Sequence, residues 1–134
     1  VNKIKIAFIS LFITTVLTSC IFVVNNNGVN DQNLTQRELV AVMHGYSKCW
    51  IVNNDTKAIA VKMYLNLEPD GSITDIQLIK SDSERYIKDK VFKKAVDNAE
   101  NAVKKCSPNT ALPKEKYKIW KDLLIVFDPS GMKP

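Results

Sequence analysis

Between residues 59 and 79 the apolar side chains recur at every second position, stop at a turn signal, and then return. Ile59, Val61, Met63, Leu65 and Leu67 alternate with Ala60, Lys62, Tyr64 and Asn66, as a strand with one face in a core and one in water requires. Glu68-Pro69-Asp70-Gly71 is turn chemistry, since proline presets φ and glycine accepts a positive one. Residues 73–79 then read as the returning strand of a hairpin. This pair restricts everything around it, because a lone hairpin is marginal in water and must bury its apolar face against helices or further strands.

The flanking segments supply that cover. Thr35-Gln36-Arg37-Glu38 has the spacing of a capping box, in which Thr35 and Glu38 satisfy free amides at a helix start. Leu39, Val42, Met43, Tyr46 and Cys49 or Trp50 follow at three- and four-residue steps, and Asn53-Asn54-Asp55 breaks the stripe. A second, stronger stripe comprises Val91, Phe92, Ala95, Val96, Ala99, Ala102, Val103 and Cys106, with Lys93, Asp97, Glu100 and Lys104 on other faces. Ser107-Pro108-Asn109 ends it. Residues 81–88 read as a polar connection, and residues 118–128, rich in Ile, Trp, Leu, Val and Phe, read as a third strand. The predicted fold is therefore α+β, ordered α-β-β-α-β: a three-stranded antiparallel sheet with helices packed on one face, spanning residues 34–134.

The N-terminus carries a different signal. Lys3 and Lys5 precede an apolar run over residues 6–17, the lengths of a signal peptide's basic and apolar regions. Leu17-Thr18-Ser19-Cys20 closes the run and resembles the lipobox of bacterial lipoproteins. The resemblance implies a signal peptide over residues 1–19, lipidation of Cys20 as first mature residue, and a polar tether over residues 20–33. Ile21 in second place, where an Asp would retain the product at the inner membrane, implies residence at the outer membrane. The alternative is an uncleaved membrane helix over residues 6–24, just long enough to span about 20 residues of bilayer.

Charge and composition narrow the function. The 134 residues carry a net charge of +5; without Lys3 and Lys5 the remaining 17 basic and 14 acidic side chains leave +3. That excess suits approach to an anionic surface or acidic partner and is far from a nucleic-acid footprint. The lysines at 90, 93, 94, 104 and 105 share their helix with Asp89, Asp97 and Glu100 at pairing distances, so they read as a mixed-charge solvated face. His44 is the sole histidine, there is no C-x-x-C pair, and the carboxylates are scattered, which disfavours metal, triad and acid–base chemistry and leaves no cofactor to expect. Cys49 and Cys106 stand at the ends of the two predicted helices. In an oxidising compartment a disulfide is their expected state, with two separate buried thiols as the alternative.

Three stretches together resemble the C-terminal domain of TolA, within the TonB/TolA C-terminal family. They are Cys49-Trp50 after the first helix, Leu67 to Ile73 across the hairpin, and Leu112-Pro113 followed by Tyr117, Trp120 and Phe127-Asp128-Pro129. The resemblance covers nearly all of residues 36–132 and supports the Cys49–Cys106 bridge. It implies a non-enzymatic periplasmic binding module of the Tol-Pal system whose partners are TolB-like proteins and, as for TolA, phage and colicin domains; for the related TonB domains the partners are receptor plug segments. Such partners commonly add a strand to a sheet edge. By that analogy the last strand is the binding edge, with Lys118, Trp120, Asp122, Leu124 and Val126 on the partner face and Lys121, Leu123, Ile125 and Phe127 toward the core. Residues 6–24 contain no histidine or charged side chain and no Ala/Lys/Glu-rich arm follows them, so the resemblance stops short of energy transduction. The competing readings are a structural envelope lipoprotein of the same fold that binds lipid or peptidoglycan, and a short TonB/TolA-type transport component.

Overall fold

The computed structural model describes residues 21–24 and 33–131. Its elements are strand β1 (Ile21–Val24), helix α1 (Gln36–Ser47), strands β2 (Val61–Leu67) and β3 (Ile73–Leu78), helices α2 (Ser83–Lys88), α3 (Lys90–Lys105) and α4 (Tyr117–Trp120), and strand β4 (Asp122–Phe127). Short 3-10 turns at Lys80–Asp82, Lys114–Lys116 and Pro129–Gly131 complete the order. The signal-peptide and Cys20 readings fall on residues outside those described.

The expected α+β fold is present. β4, β2 and β3 form a three-stranded antiparallel sheet with β2 in the middle. Val61, Met63, Leu65 and Leu67 point from β2 into the core, as do Leu123, Ile125 and Phe127 from β4. Against that face lie Val42, Met43 and Tyr46 of α1 and Phe92, Ala95, Val96, Ala99, Ala102 and Val103 of α3. Three alanines on the buried stripe of α3 allow the helix to approach the sheet closely. Among the residues whose burial is described, the core cluster runs from Leu34 to Phe127.

Local chemistry explains the element boundaries. The capping box forms: the Thr35 amide donates to Glu38 Oε2 at 2.6 Å and the Glu38 amide to Thr35 Oγ1 at 3.2 Å. Asp89 caps α3 by accepting from the amides of Val91 and Phe92, both at 3.0 Å. In the hairpin turn the Gly71 amide donates to Glu68 O at 2.9 Å while Gly71 holds φ at 85°, which favours glycine. Cys49 and Cys106 are bridged, with Cα atoms 6.0 Å apart, tying the chain just beyond α1 to the residue that ends α3.

Four expectations need correction. Residues 81–88 are not merely a connection: Ser83–Lys88 is a helix with no buried residue, so it has no apolar stripe to betray it. It is held by the Lys88–Glu84 pair, by the Tyr86 hydroxyl donating to Asp97 at 3.0 Å, and by the Arg85 guanidinium 4.2 Å from the Phe92 ring centroid. Val91 is off the buried stripe and 39% exposed. Residues 118–120 are helical rather than extended; α4 turns Trp120 into the core, fully buried, where its indole N–H donates to Pro113 O at 2.6 Å. Finally, Ile21–Val24, assigned to the tether, is a fourth strand, paired antiparallel with β4.

Candidate functional site

The site that the sequence pointed to is one face of the last strand, read as a sheet edge, and the structure brings only part of it together. Asp122, Leu124 and Val126 do share one face of β4, exposed at Asp122 and half-buried at the other two. Lys118 and Trp120 do not belong to that face, because α4 ends just before β4 begins. A buried indole gains from a hydrogen-bond partner for its N–H, and a helical turn after Pro113 supplies one where an extended strand would leave Trp120 in water. Tyr117 reinforces the turn, stacking edge-on with Trp120 at 4.9 Å and donating its hydroxyl to Leu67 O at 2.9 Å.

On its inner side β4 pairs with β2, setting Leu124 opposite Tyr64, Val126 opposite Lys62 and Asp122 opposite Asn66. The Asn66 amide donates to the Asp122 carboxylate, and Tyr64 remains 39% exposed. The face away from the helices thus carries a small apolar strip, Tyr64, Leu124 and Val126, bounded by Lys62 and by the Asn66–Asp122 pair. On its outer side β4 pairs with β1 in a continuous register: Ile21 opposite Phe127, Phe22 opposite Val126, Val23 opposite Ile125 and Val24 opposite Leu124. Among the described residues no strand pairs with Asp122 or Leu123 on that side.

The opposite edge of the sheet is different in kind. β3 shows Thr74, Asp75 and Gln77 to solvent, and its side chains are engaged locally: Thr74 Oγ1 donates to Asn66 O at 3.1 Å and Gln77 Nε2 to Asp75 Oδ2 at 2.5 Å. Beside it runs an open groove of about 410 Å³ bounded by Ile73, Thr74, Asp75 and Ile76 on the sheet and Glu100, Lys104 and Ser107 from α3 and the residues after it. Polar, charged side chains of this kind blunt an edge against pairing.

Elsewhere the charges are structural. Lys93 pairs with Asp97 at 2.9 Å, Lys104 with Glu100 at 3.4 Å and Lys94 with Asp55 at 3.0 Å, the mixed-charge arrangement anticipated for α3. Lys116 reaches Glu38 at 2.7 Å, so its ammonium, followed by the Thr35 amide, holds the Glu38 carboxyl below its usual range. His44 is exposed on α1, and the neighbouring Ser47 hydroxyl donates to its carbonyl oxygen at 3.0 Å, an arrangement internal to the helix. Among the described residues no three His, Cys, Asp or Glu side chains gather as a metal site, and no helix is long and apolar enough to cross a membrane.

Sequence reasoning missed one residue that organises the fold, Asn109. It is buried; its Nδ2 donates to Val42 O at 3.0 Å, its Oδ1 accepts from the Ala111 amide at 3.1 Å, and its own amide donates to Gly71 O at 3.3 Å. It thereby ties α1, the hairpin turn and the loop after α3. A Cβ on Gly45 would come within 2.8 Å of its side chain, and one on Gly71 within 2.7 Å of its carbonyl oxygen. Next to it the Tyr46 hydroxyl is buried and lacks a partner of good geometry; burial pushes this phenol up to about 12, and the nearby Asn109 side chain offsets only part of the shift. The sequence showed Asn109 only as the end of a Ser-Pro-Asn helix stop.

Compared with known protein families, with curated proteins and with solved structures, the chain gives no match.

Proposed function

We propose that this chain is a non-enzymatic, TolA-like binding module of the bacterial envelope, anchored at a membrane through Cys20, that takes an extended partner segment as an added strand on β4. The observation that carries the reading is that β4 already bears an added antiparallel strand on its outer side. An edge able to accept Ile21–Val24 has its backbone donors and acceptors aligned for a strand from another protein. The helix-hairpin-helix-strand order and the Cys49–Cys106 bridge agree with the resemblance in sequence. A strand beginning at Ile21 also favours the lipoprotein anchor over a spanning helix, since residues in the sheet are lost to any helix running through Val24. The partner is a TolB-like periplasmic segment, and the outer membrane is the site of anchoring.

Residues 34–134 hold the core cluster of the described residues and the disulfide, and they lack β1. Titration of this oxidised fragment with the N-terminal segment of the same organism's mature TolB, followed by backbone NMR, is the test. Saturable shifts concentrated at residues 121–127 are expected. An unchanged spectrum at millimolar peptide would reject the TolB reading and move the search to lipid and peptidoglycan ligands.

A further inference from the structure

We propose that Ile21–Val24 is a built-in occupant of the β4 edge, so that an external strand must be antiparallel, apolar at the four positions that face Phe127 to Leu124, and able to displace this segment. The inference rests on the edge-strand reading above and adds the chemistry of the ligand and the means of its admission.

Three observations lead to it. β1 is made only of Ile, Phe and Val, residues that favour strands, and it runs antiparallel to β4. It also lies along α1, so a strand in this position meets both the sheet edge and the helix layer. Its register covers Leu124 to Phe127, so an external strand that takes this edge replaces β1 pair by pair.

The connection to α1 sets the strength of the competition. Residues 25–32 link β1 to the folded domain, and a linker this short holds a segment at an effective concentration on the order of millimolar. Any external strand sees its apparent affinity reduced by the fraction of time the edge is open. Ile21 also directly follows Cys20. With β1 docked, the sheet edge sits beside the residue proposed as the anchor; with β1 released, residues 21–33 become a tether reaching about 45 Å. Strand exchange would thus lengthen the module's reach at the moment it takes its partner.

The experiment uses the full chain in mild detergent and a Phe22→Pro/Val23→Pro variant. Successive amides of a strand point to opposite sides, so adjacent prolines remove a donor toward β4 whichever the phase of the ladder. Hydrogen exchange at Leu124 to Phe127 is measured first, then binding of a synthetic Ile-Phe-Val-Val peptide with flanking lysines, against a scrambled control. The variant should lose about tenfold or more of its amide protection in β4 and bind the peptide at least about tenfold more tightly than the native chain. Unchanged protection, or equal peptide affinity in both chains, overturns the inference. If the variant takes this peptide yet refuses the TolB segment, the built-in occupant stands and the TolB reading alone falls.

Discussion

Asn109 concentrates more of the fold's polar accounting than any charged residue in the core region. Removing its side chain takes a hydrogen-bond partner from the buried Val42 carbonyl and from the half-buried Ala111 amide. We expect Asn109→Ala to cost about 2 to 3 kcal/mol, by the price of unsatisfied buried groups, measured as urea unfolding with the disulfide intact. Gly71→Ala should also destabilise, through φ of 85° and the 2.7 Å approach to Asn109 O, and the two should be non-additive because they share a contact. Tyr46→Phe should behave in the opposite way. It deletes a buried hydroxyl that has no well-formed partner, so stability near neutral pH should hold or rise by up to about 1 kcal/mol. Because burial raises the Tyr46 phenol from 10.0 to about 12, the native chain's share of stability from keeping it neutral is complete below about pH 10 and is lost as pH climbs through 12. The Phe variant should show a flatter alkaline limb in a pH series of melting temperatures. The acid limb has the reverse sign. Glu38, held low by Lys116, and Asp89, held low chiefly by the Phe92 amide, stabilise the fold above their ordinary values of 4.5 and 3.8, and this is lost as pH falls through their lower folded values. Glu38→Gln should flatten the loss of melting temperature on acidification.

At the scale of elements, the disulfide and the two long helices act together. α1 and α3 are far apart in sequence, and the bridge joins Cys49 to Cys106 across 57 positions. Closing a loop of that size restricts the unfolded chain by roughly 4 kcal/mol on the chain-entropy account. A Cys49→Ser/Cys106→Ser variant should therefore unfold at clearly lower urea, by an amount no larger than this, while its sheet pattern in NMR stays the same. Both capped helices were legible because a cap and an apolar stripe are local properties: Thr35 with Glu38, and Phe92 through Val103, announce themselves. The hairpin was legible for the same reason. α2 was not, since its side chains bond to α3 rather than form a stripe of their own. α4 was misread as strand because Ile119, Trp120, Leu123 and Leu124 look alike in composition, and only the position of the Pro113 carbonyl decides that Trp120 folds under rather than out.

For the whole molecule, the consequence is a sheet with two unlike edges. β3 is polar and flanked by a groove, whereas β4 is apolar and occupied by a segment from the chain's own N-terminal region. Of the binding face predicted on β4, Asp122, Leu124 and Val126 could be read from alternation alone, and the inward set Leu123, Ile125 and Phe127 likewise. Lys118 and Trp120 could not, and neither could the pairing of Ile21–Val24. The sequence by itself determined the α+β class, the turn at Gly71, the helix starts and the faces of β2 and β4, because each follows from spacing over a few neighbouring residues. Only the tertiary structure decided that Asn109 joins three elements, that Trp120 is core, and that β4 carries a fourth strand. Those outcomes depend on partners distant in sequence, such as the Asn109 side chain bonded to Val42 O and Phe127 set opposite Ile21 in the ladder, and no local pattern encodes which backbone groups will meet.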